Sequence, residues 1–270
     1  MNIFILNCFC FDQPQSGNPA GVVLGFAGDK FEKLTLAKEL ALPVTVFVSK
    51  LETETPLLEY FYPETEMPLC IHGSLAAAFI LFETSGRANM ICTTTTGKLL
   101  HISRTNSIMQ IEVSPQPLNN VTIHQNEICH LINLDNPTLI NHELPFQVAS
   151  VGSPKLLVPL ISTDNLYRLT PNYEKILQWS QLKHVNGLYV YAKQNNNDTT
   201  IFHARGFNPK TGHHEDAATG VAAAALCACL QKNITIEQGQ SINKPSKIYA
   251  DYINPQKILV GGIVTQIQSQ

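Results

Sequence analysis

A thiol and a carboxyl group occupy equivalent places in two copies of one sequence motif. Residues 61–65 and 207–211 both read Phe-x-Pro-x-Thr, and their prolines lie 146 positions apart (209 minus 63) in a chain of 270 residues. Cys70 follows the first proline by seven residues, and Asp216 follows the second by the same distance. Because both side chains can give or accept a proton, the repeat predicts acid–base chemistry supplied by two copies of one folding unit.

A glycine-bearing turn follows each of these residues and leads into a run rich in alanine and leucine, 75–82 in the first copy and 221–230 in the second. A helix that begins at such a turn presents unpaired N–H groups and about half a positive charge, which attract anions. Glycine also lets a ligand approach the backbone closely. We therefore expect the turns to bind a small carboxylate substrate. The candidate substrate-binding residues in them are Gly73, Ser74, Thr219 and Gly220.

The candidate catalytic residues are Cys70, His72 and Asp216, and each also has a structural interpretation. Cys70 could be a small buried apolar side chain, as most free cysteines are. His72 could cap a helix, or it could bind a ligand or relay a proton. Asp216 could serve only as the N-cap of the second helix, which is a common place for aspartate. The alternative is that Asp216 faces the substrate.

Metal and nucleotide cofactors are not expected. His213, His214 and Glu215 are adjacent in the chain, so they lack the i, i+4 spacing that puts two ligands on one face of a helix. The sequence contains neither a Gly-x-Gly-x-x-Gly segment nor a phosphate-binding loop of the Gly-x-x-x-x-Gly-Lys type. We therefore predict a reaction that needs no cofactor.

The two alanine-rich runs also predict the architecture. They carry almost no polar residue on any face, so a helix formed by either must be buried on all sides, and both are too short to span a membrane. We expect an α+β protein of two similar domains, each a curled mixed or antiparallel sheet around a central apolar helix. The predicted domains are residues 1–115 and 121–270, with 116–120 as a linker. The last strand of the second domain could cross to the first.

Two further helices are predicted on the surface of these sheets. Apolar residues recur with the helical period over 31–41. A second helix is predicted to open at Thr170-Pro171, where a threonine cap precedes a proline, and to run to about Leu182.

Composition excludes several classes of function. A net charge of −3 and an isoelectric point near 6.3 give no basic surface for nucleic acid or an anionic membrane. The seven cysteines are odd in number and form no Cys-x-x-Cys pair, so neither a disulfide framework nor a zinc knuckle is expected. Residues 1–11 are apolar but lack a basic start and a cleavage site, which favours a first strand over a signal peptide. A cytoplasmic location is the expectation.

Four segments of the chain resemble the phenazine-biosynthesis (PhzF-type) isomerase family, whose relatives include diaminopimelate epimerase and proline racemase. Residues 16–20 (Ser-Gly-Asn-Pro-Ala) are similar to the N-terminal Gly-Asn-Pro signature of that family. Residues 68–76 (Pro-Leu-Cys-Ile-His-Gly-Ser-Leu-Ala) resemble its Cys-Gly-His-Ala-Thr-Leu-Ala segment. Residues 205–222 resemble its Arg-x-Phe-x-Pro…Gly…Glu-Asp-Pro-x-Thr-Gly-Ser-Ala block, and 151–159 also fit.

The resemblance covers essentially the whole chain and implies a fold of the diaminopimelate-epimerase type. It further implies a homodimer, cofactor-independent proton transfer in a cleft between the domains, and a substrate-binding role for Asn18 of the Gly-Asn-Pro signature. Cys70 falls where racemases and epimerases of this fold carry a catalytic thiolate. A helix N-terminus would favour that thiolate.

Three departures from the family pattern put the usual reaction in question. Val44 stands where the family has its general base, a glutamate within a Ser-Glu-Thr segment, and valine cannot carry a proton. Ile71 replaces a glycine and Val221 replaces a serine. Since a general base contributes about 10²–10⁴ in rate, its loss predicts either different proton carriers or a protein that binds a small anion without turnover. A third alternative is a structural dimer with an occluded cleft.

Overall fold

The computed structural model describes residues 1–11, 16–118, 121–194, 200–212 and 214–269. The chain divides into two compact units. The first comprises Met1–Glu112 together with Val260–Gln270, and the second comprises Val113–Leu259. The predicted linker 116–120 lies within the second unit by this division, and Asn119 and Asn120 are outside the described residues.

Strands and helices are interspersed along both halves of the chain. The first part of the chain forms β1 (Asn2–Cys10), β2 (Asn18–Leu24), α1 (Lys30–Leu40), β3 (Thr45–Ser49), β4 (Leu57–Tyr62), β5 (Thr65–Met67), α2 (Ile71–Ser85), β6 (Asn89–Thr94), β7 (Leu99–Thr105) and β8 (Ile108–Val113). The remainder forms α3 (Gln125–Ile132), β9 (Gln147–Ala149), β10 (Lys155–Leu160), α4 (Thr163–Arg168), α5 (Tyr173–Lys183), β11 (Leu188–Lys193), β12 (Ile201–Phe207), β13 (Glu215–Asp216), α6 (Gly220–Leu230), β14 (Ile234–Gln238), β15 (Ser246–Asn254) and β16 (Lys257–Ser269). The described residues also include the short 3-10 turns Pro137–Leu139, Pro209–Thr211 and Gln240–Ile242.

The sheet of the first unit closes around helix α2. Its strands follow the order β1-β2-β3-β4-β6-β7-β8-β16, and the end of β16 is hydrogen-bonded to β1, so that the last strand in the order returns to the first. Helix α2 contacts β1, β2, β3 and β4, and its residues from Ile71 to Ala78 are all buried. A helix without a polar stripe can be accommodated only when apolar side chains surround it, and the closed sheet supplies them.

Helix α1 packs on the outer face of the same sheet. Its N-terminus is fixed by a capping box, in which Asp29 and Glu32 bond each other's backbone N–H groups. Apolar side chains of α1 contact a cluster that includes Phe47 of β3 and Phe61 of β4. The two rings pack edge to face, with their centroids 5.4 Å apart. The helix predicted over 31–41 is therefore present, displaced by one residue.

The second unit contains an open mixed sheet with helices on both faces. Its strand order is β15-β14-β12-β11-β10-β9. Helix α6 contacts β15 at one end of that order and β9 and β10 at the other, which requires the sheet to curl around the helix. The opposite face carries the core of α3, α4 and α5, which includes Trp179, Leu156, Val158 and Phe207.

The two units repeat one topology. In the first, β2 and β3 are parallel, β3, β4 and β5 follow antiparallel, and α2 connects β4 to the parallel strand β6. In the second, β10 and β11 are parallel, β11, β12 and β13 follow antiparallel, and α6 connects β12 to the parallel strand β14. The sequence repeat is thus a repeat of structure. The predicted fold class, α+β with curled mixed sheets around central apolar helices, is confirmed.

Two predictions about elements differ from the structure. Helix α5 begins at Tyr173 and not at Pro171, because the side chain of Asn172 accepts a hydrogen bond from the Lys175 N–H and acts as the cap. Helix α6 begins at Gly220, with Thr219 as its cap residue, so Asp216 is not the N-cap that its structural interpretation required. Among the described helices, none is both long and apolar enough to cross a membrane.

Candidate active site

Cys70 and His72 form a thiol–imidazole pair at the start of α2. Cys70 is the N-cap residue, in an extended conformation (φ −142°, ψ 117°), and its thiol does not cap the helix. The Cys70 Sγ lies 3.2 Å from Nδ1 of His72 and 3.9 Å from Nε2. The hydroxyl of Tyr62 lies 3.8 Å from the same sulfur. A thiol in contact with an imidazole at a helix N-terminus can lose its proton to the ring and recover it. The predicted acid–base chemistry needs this property.

Ser74 fixes the backbone of Cys70. Its hydroxyl donates to the Cys70 carbonyl oxygen at 2.7 Å, and its N–H donates to the same oxygen at 2.9 Å. The hydroxyls of Tyr60 and Ser74 are 2.7 Å apart. Burial raises the pKa of Tyr60 far above its ordinary value, so this hydroxyl stays protonated. Ser74 is fully buried and holds the first turn of α2 in shape. Its predicted contact with substrate stays a prediction.

Cys8 and Asn18 lie on neighbouring strands beside this turn. The Cys8 thiol donates to the carbonyl oxygen of His72 at 3.1 Å, and Cys8 is paired with Asn18 in the ladder between β1 and β2. Burial raises the pKa of Cys8, which therefore remains a thiol. Phe9 has a positive φ of 62°, at a register shift that turns this end of β1. Cys8 thus connects Asn18 of the Gly-Asn-Pro signature to the turn that carries the Cys70–His72 pair.

Gly73 is required for packing against β3. A Cβ at this position would lie 2.8 Å from the Val46 Cγ2, 3.3 Å from the Val44 Cγ1 and 3.4 Å from the Tyr60 ring. The missing side chain therefore allows the first turn of α2 to approach the sheet. Val44 is completely buried against this turn, so the position where the family has its base faces the start of α2. The role of Gly73 in binding substrate stays a prediction.

In the second unit, Asp216 belongs to a hydrogen-bond network centred on Gln238. The Thr219 hydroxyl donates to Oδ2 of Asp216 at 3.2 Å. The Gln238 amide donates to the carbonyl oxygen of Asp216 at 2.8 Å and to the Thr219 hydroxyl at 2.9 Å. Its oxygen accepts from the Thr219 N–H at 3.1 Å and from the Tyr189 hydroxyl at 3.2 Å. These bonds fix Asp216 and the start of α6 relative to each other.

Gly206 leaves the space that this network occupies. A Cβ at Gly206 would lie 2.5 Å from the Thr219 hydroxyl and 3.1 Å from the Gln238 amide nitrogen. Gly206 is paired with Asp216 across β12 and β13, so the glycine brings the network and the carboxylate together. Gln238 was not predicted as a site residue. The only signal in the sequence is a glutamine that ends a β-rich run just before Gly239.

A buried ion pair holds the strand that carries Asp216. Arg205 donates to both carboxylate oxygens of Glu215, at 2.9 and 2.8 Å, and to the carbonyl oxygens of Leu166 and Leu169. The guanidinium also lies over the Phe207 ring. The pair is almost fully enclosed, and removing one partner from such a pair costs about 3–5 kcal/mol. The ion pair between Arg205 and Glu215 therefore helps to fix the position of Asp216, the next residue in β13.

Lys155 is a charged residue near Asp216 that the sequence pattern did not single out. Only 3% of Lys155 is exposed, and its ammonium donates to the carbonyl oxygen of Asn186. Burial lowers the pKa of Lys155 to about 8, an effect that the Asp216 carboxylate opposes and the Lys210 ammonium reinforces. The signal was available, because Lys155 begins an otherwise apolar run of six residues.

The cluster of acidic and histidine residues ahead of Asp216 is engaged elsewhere. The His214 ring stacks on Tyr173 at 4.4 Å, and Glu215 is bound to Arg205. His213 is outside the described residues. Within the described part of the chain, no group of three or more histidine, cysteine and acidic side chains could hold a metal ion.

Comparison with known proteins adds three similarities. An uncharacterized isomerase of Clostridium acetobutylicum is 25% identical over 92% of this chain and 90% of its own length. A phenazine biosynthesis-like domain-containing protein of Bos taurus is 32% identical over 83% of this chain and 81% of its own length. The crystal structure of a PhzF-family phenazine biosynthesis protein from Bacillus anthracis superposes with a TM-score of 0.85, covering 100% of this chain and 98% of that one at 24% identity.

The model of one protein family, described as phenazine biosynthesis-like protein (PhzC-PhzF), matches residues 7–268. That range contains both copies of the repeat, the Gly-Asn-Pro segment and every candidate residue above. The chain therefore belongs to the phenazine biosynthesis-like family.

Proposed function

We propose that the protein is a cofactor-independent isomerase or epimerase that transfers protons on a small carboxylate-bearing substrate. The observation that carries the proposal is the contact between the Cys70 thiol and the His72 ring at the start of a buried helix. The second unit places Asp216 beside the start of the equivalent helix. Relatives named as isomerases support the same reaction class.

The reaction needs two proton carriers, one for each face of the reacting carbon. Asp216 as a carboxylate removes the proton next to the substrate carboxylate, and the Cys70 thiol returns a proton to the opposite face. Asp216 then carries the proton, and Cys70 is left as a thiolate beside His72, until exchange with water restores both groups. The N–H groups at the starts of α2 and α6 would bind the substrate carboxylate and the enolate-like charge that develops in between.

Isotope exchange tests this function. The wild-type protein is incubated in D₂O with a panel of chiral α-amino and α-hydroxy acids, and loss of the α-proton signal is followed by NMR. We expect deuterium to enter at least one acid. As a matched control, Cys229→Ser removes a half-buried thiol far along the chain in the second unit and should leave exchange unchanged. No incorporation across the panel would contradict the proposal.

The second candidate function is a protein that captures a small carboxylate without turnover. The observation that favours it is Val44, which stands at the position where the family has its base. Its apolar side chain is buried against the first turn of α2. This alternative predicts ligand-induced stabilisation without isotope exchange, and activity that appears in Val44→Glu but not in Val44→Gln. Exchange by the wild-type protein would exclude it.

We also propose that the protein acts as a homodimer, as the family resemblance implies. Light scattering over a range of protein concentrations measures the assembly. A constant mass of one chain would contradict the dimer.

A further inference from the structure

Two tyrosines of β4 contact the start of α2 side by side. Tyr60 and Tyr62 stand two positions apart in the strand, so their side chains lie on one face of the sheet. The Tyr60 hydroxyl is 2.7 Å from the Ser74 hydroxyl, and the Tyr62 hydroxyl is 3.8 Å from the Cys70 sulfur. Two strand residues rise about 6.6 Å and four helical residues about 6 Å, so the tyrosines match the spacing of Cys70 and Ser74. The contact between Tyr62 and Cys70 therefore follows from the packing of β4 on α2.

The hairpin of β4 and β5 directs Tyr62 to this contact. Tyr62 is the last residue of β4, and it is paired with Thr65 across the turn at 63–64. The hairpin also carries three carboxylates, each of which binds a lysine of α1 on the outer face of the sheet: Glu59, Glu64 and Glu66. The hairpin thus presents a phenol to the inner face, where the thiol lies, and its carboxylates to the outer face.

Two other titratable groups that act on Cys70 stay neutral. The Cys8 thiol and the Tyr60 phenol both interact electrostatically with Cys70, and burial raises the pKa of each, so both keep their protons. Cys8 donates to the carbonyl oxygen of His72, and Tyr60 is bonded to the Ser74 hydroxyl. The side chains that lie within hydrogen-bonding range of the Cys70 sulfur itself include the His72 ring and the Tyr62 hydroxyl.

A thiolate accepts hydrogen bonds more strongly than a thiol, because a charge on the acceptor strengthens and shortens the bond. The contact of 3.8 Å at the sulfur should therefore tighten when the sulfur becomes charged. We propose that Tyr62 is a positioning residue whose hydroxyl donates to the Cys70 sulfur and stabilises the thiolate. The contact itself is a property of the first unit alone, whereas its role in catalysis rests on the isomerase function proposed above.

In that reaction the Cys70 thiol gives its proton to the substrate and is left as a thiolate beside His72. Stabilisation of the thiolate by Tyr62 makes the thiol a stronger acid. The phenol keeps its own proton, because an ordinary phenol has a pKa of about 10 and an ordinary thiol one of about 8.5. The second copy of the motif has Asn208 in place of Tyr62 and Asp216 in place of Cys70, so the phenol occurs in the copy that carries the thiol.

The first experiment measures the ionisation of Cys70 without any substrate. Alkylation of the Cys70 peptide by iodoacetamide is followed against pH in a Cys229→Ser background, with and without Tyr62→Phe, which removes the hydroxyl and keeps the ring. We expect the midpoint of the profile to rise by about one pH unit in Tyr62→Phe, since a hydrogen bond to the charged sulfur is lost. Tyr252→Phe, at a half-buried tyrosine of the second unit, is the control and should leave the midpoint unchanged. The same midpoint with and without Tyr62→Phe would overturn the proposal.

The second experiment observes Tyr62 directly. Tyrosine side chains are labelled with ¹³C at Cζ, and the Tyr62 signal is assigned by its absence in Tyr62→Phe. We expect its chemical shift to change at the pH at which Cys70 ionises, and we expect this step to be absent in Cys70→Ser. Circular dichroism confirms that each variant is folded. A Tyr62 signal that does not respond to the ionisation of Cys70 would overturn the contact.

The third experiment tests the role in catalysis by isotope exchange on the acid that the wild-type protein labels. Tyr62→Phe should lower kcat about three- to tenfold, because a thiol whose pKa is about one unit higher gives up its proton more slowly. KM should not change, since the phenol contacts the sulfur. An unchanged kcat together with a raised alkylation midpoint would overturn the role. If the wild-type protein exchanges nothing, the isomerase function and this role fail together, while the alkylation profile still decides the contact.

Discussion

The thiol of Cys70 and the imidazole of His72 meet at 3.2 Å across the first turn of a helix that a closed sheet surrounds. The contact depends on two neighbouring residues that position the turn. Ser74 fixes the carbonyl of Cys70 by two hydrogen bonds, and Gly73 lets the turn approach β3. The reactivity of the Cys70 thiol should therefore depend both on His72 and on the packing of Gly73 against β3.

Replacing His72 by Asn should slow alkylation of Cys70. Because an imidazole in contact with a thiol can accept its proton, loss of the ring should lower the fraction of reactive thiolate, and we expect the rate constant with iodoacetamide to fall about tenfold. The experiment uses a Cys229→Ser background, because Cys229 is the one cysteine that is not buried in the described residues. Mass spectrometry of the Cys70 peptide measures the rate. Equal rates in the two proteins would show that the ring does not activate the thiol.

Replacing Gly73 by Ala should destabilise the first unit. The new methyl group would lie 2.8 Å from the Val46 Cγ2, and overpacking of this kind costs about 1–3 kcal/mol. Urea unfolding measures the loss. The double variant Gly73→Ala/Val46→Ala removes the clashing methyl group, so its loss should be smaller than the sum of the two single losses. Additive losses would mean that Gly73 and Val46 do not compete for the same space.

Replacing Gln238 by Leu should destabilise the second unit by about 2–4 kcal/mol. Gln238 is fully buried, and its loss leaves the Thr219 N–H, the Tyr189 hydroxyl and the Asp216 carbonyl oxygen without their bonds to the amide. Gln178→Leu on the exposed side of α5 is the control and should change stability by less than about 0.5 kcal/mol. A Gln238→Leu protein as stable as the control would contradict the central place of Gln238 in the network.

The free energy of unfolding should depend on pH through Lys155. Its pKa is about 8 in the folded protein and 10.5 ordinarily, so the unfolded chain binds more protons between these values. Stability of the wild type relative to Lys155→Met should therefore rise as the pH increases from about 8 to 10.5, by about 3 kcal/mol in total, and be constant below 8. Denaturant unfolding of both proteins at several pH values measures the difference. A flat difference over this range would refute the lowered pKa.

The sequence predicted the parts of the fold that local patterns determine. The runs 75–82 and 221–230 are apolar on every face, and both became buried helices with a sheet around them. Helix α5 began two residues later than Pro171 indicated. The Asn172 side chain caps the helix, and tertiary hydrogen bonds hold the residues before it, since the Asn172 N–H donates to the Leu131 carbonyl oxygen and the Asn133 amide donates to that of Thr170.

The candidate site was predictable only where residues stand close together in the chain. Cys70 and His72 are two positions apart, and the motif that contains them indicated a site directly. Gln238 bonds the Asp216 carbonyl oxygen from 22 positions after it, and the buried Lys155 stands 61 positions before Asp216. The local signal for Lys155, a charged residue at the start of an apolar run, does not show that it is buried, because its burial depends on how β10 and the neighbouring strands are aligned.

Isotope exchange by single-carrier variants decides whether Cys70 and Asp216 are the two proton carriers. The acid that the wild-type protein labels in D₂O is presented to Cys70→Ser and to Asp216→Asn, with far-ultraviolet circular dichroism to confirm folding. Proton transfer by these two groups predicts that each variant loses exchange by about 10²-fold or more. Wild-type rates of deuterium incorporation in either folded variant would disprove that assignment.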